Sequence, residues 1–188
     1  MKRLAKKIFA WEEELLFRPR WHSILFNPYF IARYRLLERV KNFARMNAGG
    51  KKILDVGCGI KPYAKLFPND SYTGIDIRGG GHSDSQKMVD KFYDGEHIPY
   101  GDNEFDIVIC TQVFEHAVKL KELIEEIRRV LKHDGILFFT MPFVWPEHEA
   151  PYDFRRYTRF AHQKLLDDND FNQISIQTTS GVFATCGH

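Results

Sequence analysis

From Lys52 onward, short apolar runs alternate with longer stretches whose hydrophobic positions recur every three to four residues. KKILDVG, SYTGIDI, FDIVIC and GILFFTM are the apolar runs. Each is of strand length and mostly apolar, which is the pattern of strands buried on both faces. Between the last two lies KLKELIEEIRRVLK, where Leu120, Leu123, Ile124, Ile127, Val130 and Leu131 keep to one side of a helix. Glu125 and Arg129 are placed to pair across one turn of it, and His133-Asp134-Gly135 supplies the turn into the next strand. Strands alternating with helices in this order predict right-handed crossovers and an α/β, doubly wound, mostly parallel sheet. Thr158–Asp170 is expected to form a further helix and Phe171–Thr179 a strand.

The first fifty residues have a different pattern. Leu4, Ile8, Trp11 and Leu15 predict an amphipathic helix over residues 3–17, which Arg18-Pro19-Arg20 ends. Asn27-Pro28 then offers a helix start, Phe30, Tyr34, Leu37, Val40 and Ala44 form one stripe, and Gly49-Gly50 ends it. This predicts an N-terminal helical cap over residues 1–50, followed by one α/β domain over 51–188. At the far end, Gly181–His188 is too short and glycine-rich for a full final antiparallel strand. Either the chain is truncated or a sheet edge stays open.

Composition narrows the class. With 44% hydrophobic and 28% charged residues over 188 positions, the chain has the make-up of a globular domain. No apolar run approaches the ~18–20 residues of a membrane span. Three cysteines cannot build a framework of paired bridges, and the basic start breaks into Glu12-Glu13-Glu14 where a signal peptide would stay apolar. A soluble, cytoplasmic protein is expected. The net charge of +2 conceals an asymmetry, because residues 1–50 hold 11 Lys/Arg against 4 Asp/Glu. That basic, aromatic arm leaves peripheral membrane contact open, as well as homo-oligomer formation.

Candidate chemistry gathers at the strand ends, where open parallel sheets bind ligands. The first run ends in Asp55, Gly57 and Gly59, with Pro62 suited to open a following helix. Free amides at such a helix start favour an anion. Asp55 beside the turn would repel a pyrophosphate but attract an ammonium, so an amino-acid zwitterion suits the pair of features. Asp76 ends the second run 21 residues later, placed to accept from ribose hydroxyls. Zwitterion plus ribose describes S-adenosylmethionine. A dehydrogenase using NAD is disfavoured by Asp55 and by the missing third glycine.

ILDVGCG, YTGIDI, DGEHIPYGDNEFDIVICTQVFEH and IRRVLKHDGILFFTMPF, in that order, resemble the class I S-adenosylmethionine-dependent methyltransferases, type 11 methyltransferase domain. The resemblance implies a Rossmann-like fold in which Asp55, Gly57 and Gly59 hold the methionine part. It also implies that Asp76 holds the ribose, Ile77 flanks the adenine, Asp94 and Gly95 contact its amino group, and Thr111 and Gln112 close the pocket at the end of the fourth strand. Many members carry glycine where this chain has Lys61. The stretch Met141–Thr158 follows the fifth strand, where the fold builds acceptor-side loops, and resembles a variant common among enzymes of bacterial surface-glycan and small-molecule biosynthesis.

Methyl transfer needs alignment first, and a base only where the acceptor loses a proton. His116 is the first candidate for that base and His148 the second, histidine having an intrinsic pKa of about 6.5. No metal-binding motif is present: the eight histidines form no His-Glu-x-x-His and the cysteines no Cys-x-x-Cys. The Asn/Asp-Pro-Pro-Tyr/Phe signature of base-amino methyltransferases is missing after the fourth strand, which disfavours nucleic acid. A small-molecule or sugar acceptor, methylated on oxygen, is the expectation. The alternative is a nonenzymatic S-adenosylmethionine-binding module whose basic arm docks on membrane or nucleic acid.

Overall fold

The computed structural model describes residues 30–80 and 83–179. The expected helix over residues 3–17 and the segment after residue 179 lie outside them. The described residues fall into two compact units, 30–48 with 177–179, and Gly49–Ile176.

In the smaller unit, α1 spans Phe30–Asn47 and buries Leu36, Leu37, Val40, Phe43 and Ala44. The buried stripe is turned from the expected one: Tyr34 is exposed and stacks on Phe30, ring centroids 5.7 Å apart. Arg39 of α1 binds Gln177 Oε1 at 2.9 Å and the Thr178 carbonyl at 3.1 Å.

In the larger unit, β1 (Lys52–Val56), β2 (Ser71–Ile77), β3 (Lys91–Tyr93), β4 (Phe105–Thr111) and β5 (Leu131–Thr140) form one sheet in the order β3-β2-β1-β4-β5. Every neighbouring pair is parallel. The order reverses between β1 and β4, and that reversal opens a crevice beyond the carboxyl ends of the strands. Central strands β1 and β4 are buried almost throughout, which is why they read as unbroken apolar runs. No helix among the described residues is long and apolar enough to cross a membrane.

The crossover from β4 to β5 is α2, Leu120–Val130, and all six of its expected core positions, Leu131 included, are buried. They pack with Leu54, Val56, Ile75, Phe105 and Val108, each such side chain contributing about 1.5–3 kcal/mol. The expected Glu125–Arg129 pair does not form. Glu125 pairs with Lys121, while Arg129 takes Glu126, Asp102 and the carbonyls of Ile98 and Tyr100. Three residues apart proves the better reach, because Arg129 also serves the loop beneath it.

Other expectations are corrected. The helix expected from Pro62 is a single 3-10 turn, Ala64–Leu66. Pro68 disfavours helical backbone at Phe67, which adopts φ −123° and ψ 58°. His133-Asp134-Gly135 does not separate helix from strand but bulges out of β5, since Leu131 pairs with Phe105 and Ile136 with Ile107. The helix at 158–170 is shorter: α3 spans Arg159–Asp167, capped by the Thr158 hydroxyl accepting from the Ala161 amide. Residues 171–179 form no strand, and the segment is divided between the two units.

Candidate active site

The sheet brings the expected cofactor residues to one edge. Asp55 is the fourth residue of β1, Asp76 and Ile77 end β2, Asp94 and Gly95 follow β3, and Thr111 ends β4. Asp55 is fully buried, and its Oδ2 accepts from the Tyr72 hydroxyl at 2.6 Å. Burial pushes its pKa up to about 7, with the Tyr72 bond and Lys61 opposing and the Asp76 carboxylate adding to the rise. Two carboxylates on adjacent strand tips thus share one low-dielectric edge.

The turn after β1 is built by close approach. Gly57 has φ +70°, and a Cβ there would lie 2.3 Å from Val113 Cγ2. Gly59, at φ +49°, has open space in the same position. Lys61 also has positive φ, 52°, a conformation that glycine adopts most readily. Its ammonium binds Asp90, which also accepts from the Gly74 amide.

The amides expected to meet an anion are already engaged. Those of Gly57 and Cys58 donate to the Ile75 carbonyl at 2.9 and 3.0 Å, and that of Gly59 to Asp76 Oδ2 at 2.9 Å. With only one 3-10 turn behind them, there is no helix start to favour a negative group. Cys58 is a packing thiol, pushed up by burial and by Asp55 and Asp76.

Around Asp76 the structure adds a residue that sequence reasoning missed. Lys87 Nζ lies 3.1 Å from Asp76 Oδ1 and donates to the carbonyls of Ile77 and Gly79 at 2.7 and 2.8 Å. Nothing in the local sequence pattern marks Lys87. Ile77 packs over Gly95, where an added Cβ would sit 3.4 Å from its Cγ2. Asp94 Oδ1 accepts from the Glu96 and His97 amides, and these bonds hold its pKa below the usual carboxylate range. Gln112, at φ +57°, donates from its amide to the Thr140 carbonyl and from Nε2 to Thr140 Oγ1.

The second cluster lies where the segment after β4 meets the loop after β5. His116 and His148 come from these two segments, and their rings meet edge to face with centroids 4.8 Å apart. The loop is bound to the segment at several points. Phe154 donates its amide to the Glu115 carbonyl at 2.9 Å, and Arg155 reaches the carbonyls of Phe114, Ala117 and Val118. His116 Nδ1 lies 2.7 Å from the Tyr152 carbonyl, and His148 Nδ1 3.1 Å from Asp153 Oδ2. Two bonds from Arg156 hold Asp153 well below the ordinary carboxylate range.

Glu115 sits beneath this pair. It is fully buried, its pKa pushed up to about 8 by that burial, and neither carboxylate oxygen has a hydrogen-bond partner. No contiguous motif marks it, because its neighbours come together only through folding.

A five-stranded parallel sheet in this order, with acidic residues on the tips of its first two strands, is the architecture of a class I S-adenosylmethionine-dependent methyltransferase domain. Residues 54–139 match the family model described as a methyltransferase domain. It is 35% identical over 118 residues to the sterol 24-C-methyltransferase ERG6B of Gibberella zeae, covering 54% of this chain and 31% of that protein. With the ubiquinone biosynthesis O-methyltransferase of Glaesserella parasuis it shares 29% over 106 residues, 48% of this chain and 45% of that one. The chain thus spans less than half the length of these curated relatives. Among solved structures, a SAM-dependent methyltransferase from Aquifex aeolicus superposes with a TM-score of 0.55 at 19% identity, covering 77% of this chain and 88% of its own. The [4+2]-cyclase SpnF gives the same TM-score at 22% identity, covering 70% and 57%. S-adenosylmethionine is the cofactor the family implies.

Proposed function

We propose that the chain binds S-adenosylmethionine across the tips of β1, β2 and β3 and transfers its methyl group to an oxygen of a small-molecule or glycan acceptor. The observation that carries this reading is the juxtaposition of Asp55 and Asp76 on neighbouring strand tips, within the segment matched by the methyltransferase family. Burial, with a smaller contribution from the Asp76 carboxylate, raises the pKa of Asp55, and a cationic ligand at this edge would favour its ionised form.

The residues present fit the cofactor. Asp55 is assigned its ammonium, and Gly57 and Gly59 the close passage of its methionine part. Asp76 Oδ2, with one donor in place and room for another, is assigned a ribose hydroxyl. Ile77 and Gly95 form an apolar wall suited to the adenine, with Asp94 Oδ2 beside it for the amino group, and Thr111 and Gln112 close the β4 side. When bound, the cofactor supplies an electrophilic methyl group on a sulfonium sulfur.

The chain's own work is alignment and, for a hydroxyl acceptor, disposal of a proton. A new oxygen–carbon bond forms as the sulfur–carbon bond breaks, and the hydroxyl hydrogen must leave. We assign that proton to His116 and His148. Each uses Nδ1 on a fixed acceptor and so keeps Nε2 as a lone-pair nitrogen. The curated relatives carry names for both carbon and oxygen methylation, and this histidine pair is what favours oxygen here.

Thermal denaturation with S-adenosylhomocysteine tests the reading. At 100 times its dissociation constant the ligand should stabilise by ~2.7 kcal/mol, a shift of roughly 5–10 °C, while NAD gives none. Asp76→Ala should abolish the shift; full retention overturns the ribose assignment. Tight cofactor binding with no transfer in an acceptor screen would favour a nonenzymatic binding module instead. The basic arm on which that module would depend lies mostly outside the described residues.

A further inference from the structure

We propose that Glu115, His116 and His148 form a binding site for a first-row divalent metal ion, with zinc as the reference ion. One potential ligand atom from each of the three lies within 4.8 Å of the other two. The expectation of no metal site, drawn from contiguous motifs, does not address a set assembled from two segments 32 residues apart.

The Tyr152 carbonyl can only accept, so the His116 Nδ1 that lies 2.7 Å from it carries the hydrogen and leaves Nε2 bare. Asp153, doubly bound by Arg156, is an ionised acceptor, so His148 Nδ1 donates to it and its Nε2 is bare as well. Glu115 adds a carboxylate with no exposed surface and no partner on either oxygen, Oε1 lying 3.8 Å from His116 Nε2. That separation is too long for a hydrogen bond. With Glu115 ionised, these acceptors gather with no donor among them, an arrangement costly to bury unless a cation or a proton joins it.

The surroundings have the form that metal-ligating histidines require. One ring is fixed through Nδ1 by a backbone carbonyl and the other by a carboxylate, which set tautomer and orientation. Asp153 is itself held by Arg156, so the support extends one layer further. Two imidazoles and one carboxylate suit zinc and its first-row neighbours better than magnesium or calcium, which prefer oxygen. Ligands on a zinc ion at ~2.0–2.2 Å lie about 3.5 Å from one another, so the three atoms, now within 4.8 Å, would have to draw together to hold the ion. Three protein ligands leave a coordination position open, as catalytic rather than structural zinc sites do.

The site stands on these residues alone. Its use, lowering the pKa of an acceptor hydroxyl bound at the open position so that the proton passes to water, rests on the oxygen-methylation reading above and takes the place of proton uptake by His116 and His148, whose Nε2 atoms would then hold the ion.

The test is titration of the chelator-treated chain with cobalt(II), followed by its visible absorption, and with zinc by calorimetry. The expected result is one ion per chain with ligand-field bands of tetrahedral or five-coordinate cobalt. Glu115→Gln and His148→Gln should each abolish those bands while keeping the thermal shift with S-adenosylhomocysteine, which reports an intact fold. Asp153→Asn should weaken the metal about 10–100-fold. Absence of cobalt binding in a chain that binds S-adenosylhomocysteine overturns the inference. So does binding that both Gln variants retain, which would place the ion on other surface histidines. If Glu115→Gln fails to fold, the more exposed His148 variant decides. Metal binding without a S-adenosylhomocysteine shift would instead sink the methyltransferase reading and leave the metal site standing.

Discussion

Tyr72 donates its hydroxyl to Asp55 Oδ2 at 2.6 Å between the two central strands of one half of the sheet, and this bond only partly offsets the cost of burying the carboxylate. The folded chain therefore holds a proton on Asp55 up to about pH 7, while the unfolded chain releases it near 3.8. A group whose pKa is raised by folding gives its full stabilisation below the unfolded value and loses it as pH climbs through the folded one. Stability from Asp55 should fall between pH 3.8 and about 7, by on the order of 4 kcal/mol in total. Asp55→Asn removes that dependence. Urea titrations at about pH 5 and about pH 8 should show the variant gaining on the parent chain at the higher pH, with S-adenosylhomocysteine binding lost at both. An unchanged pH profile would mean that Asp55 is ionised in the folded chain.

A second expectation concerns the two glycines of the first turn, which differ in what surrounds them. Gly57→Ala drives a methyl group into Val113 at positive φ. It should cost about 2–4 kcal/mol, from overpacking and left-handed backbone together. Gly59→Ala meets open space and should cost only about 1–2 kcal/mol. Adding Val113→Ala should recover part of the Gly57→Ala loss and none of the Gly59→Ala loss. A double-mutant cycle in denaturant measures both, and equal recovery would count against the packing account.

Arg129 tethers the loop that leads into β4. It donates to Glu126, Asp102 and the carbonyls of Ile98 and Tyr100, all from one planar fork. Its side chain is about a third exposed, so the charge attraction is discounted and the loss falls mainly on the stranded acceptors. Arg129→Met should destabilise by about 1–3 kcal/mol, and Arg129→Lys should recover little, since an ammonium cannot span four acceptors. Chemical denaturation of the two variants would decide between directional bonding and simple charge.

Turnover offers a further check on the acceptor side. His116→Ala should leave S-adenosylhomocysteine affinity unchanged while lowering kcat by about 10²–10⁴-fold with a hydroxyl acceptor. An unaltered kcat would remove His116 from proton handling and direct attention to His148.

How far such features can be read in advance depends on whether their cause is local. β1, β4 and α2 were legible because burial on both faces, or along one stripe, is written directly into residue order. β3 was not legible as an apolar run, since Lys91–Tyr93 is too short for any period to register. The missing helix after Pro62 turns on Pro68, and the expected strand over 171–179 is absent, with Gln173 at a positive φ of 52°. Asp55 and Asp76 could be placed because strand tips share an edge by topology. Lys87, Tyr72 and Glu115 could not, because their importance comes from burial and from partners distant in sequence. The chemistry of His116 and His148 is legible in each residue alone; only folding pairs them.

The clasp between Phe154, Arg155 and the backbone of residues 114–118 carries a lesson for redesign. Two stretches on the acceptor side behave as one part, so exchanging either alone with a counterpart from another enzyme would strand three main-chain oxygens that Arg155 now serves. A graft meant to change acceptor preference has to carry both stretches together, or confine itself to side chains and leave this seam untouched.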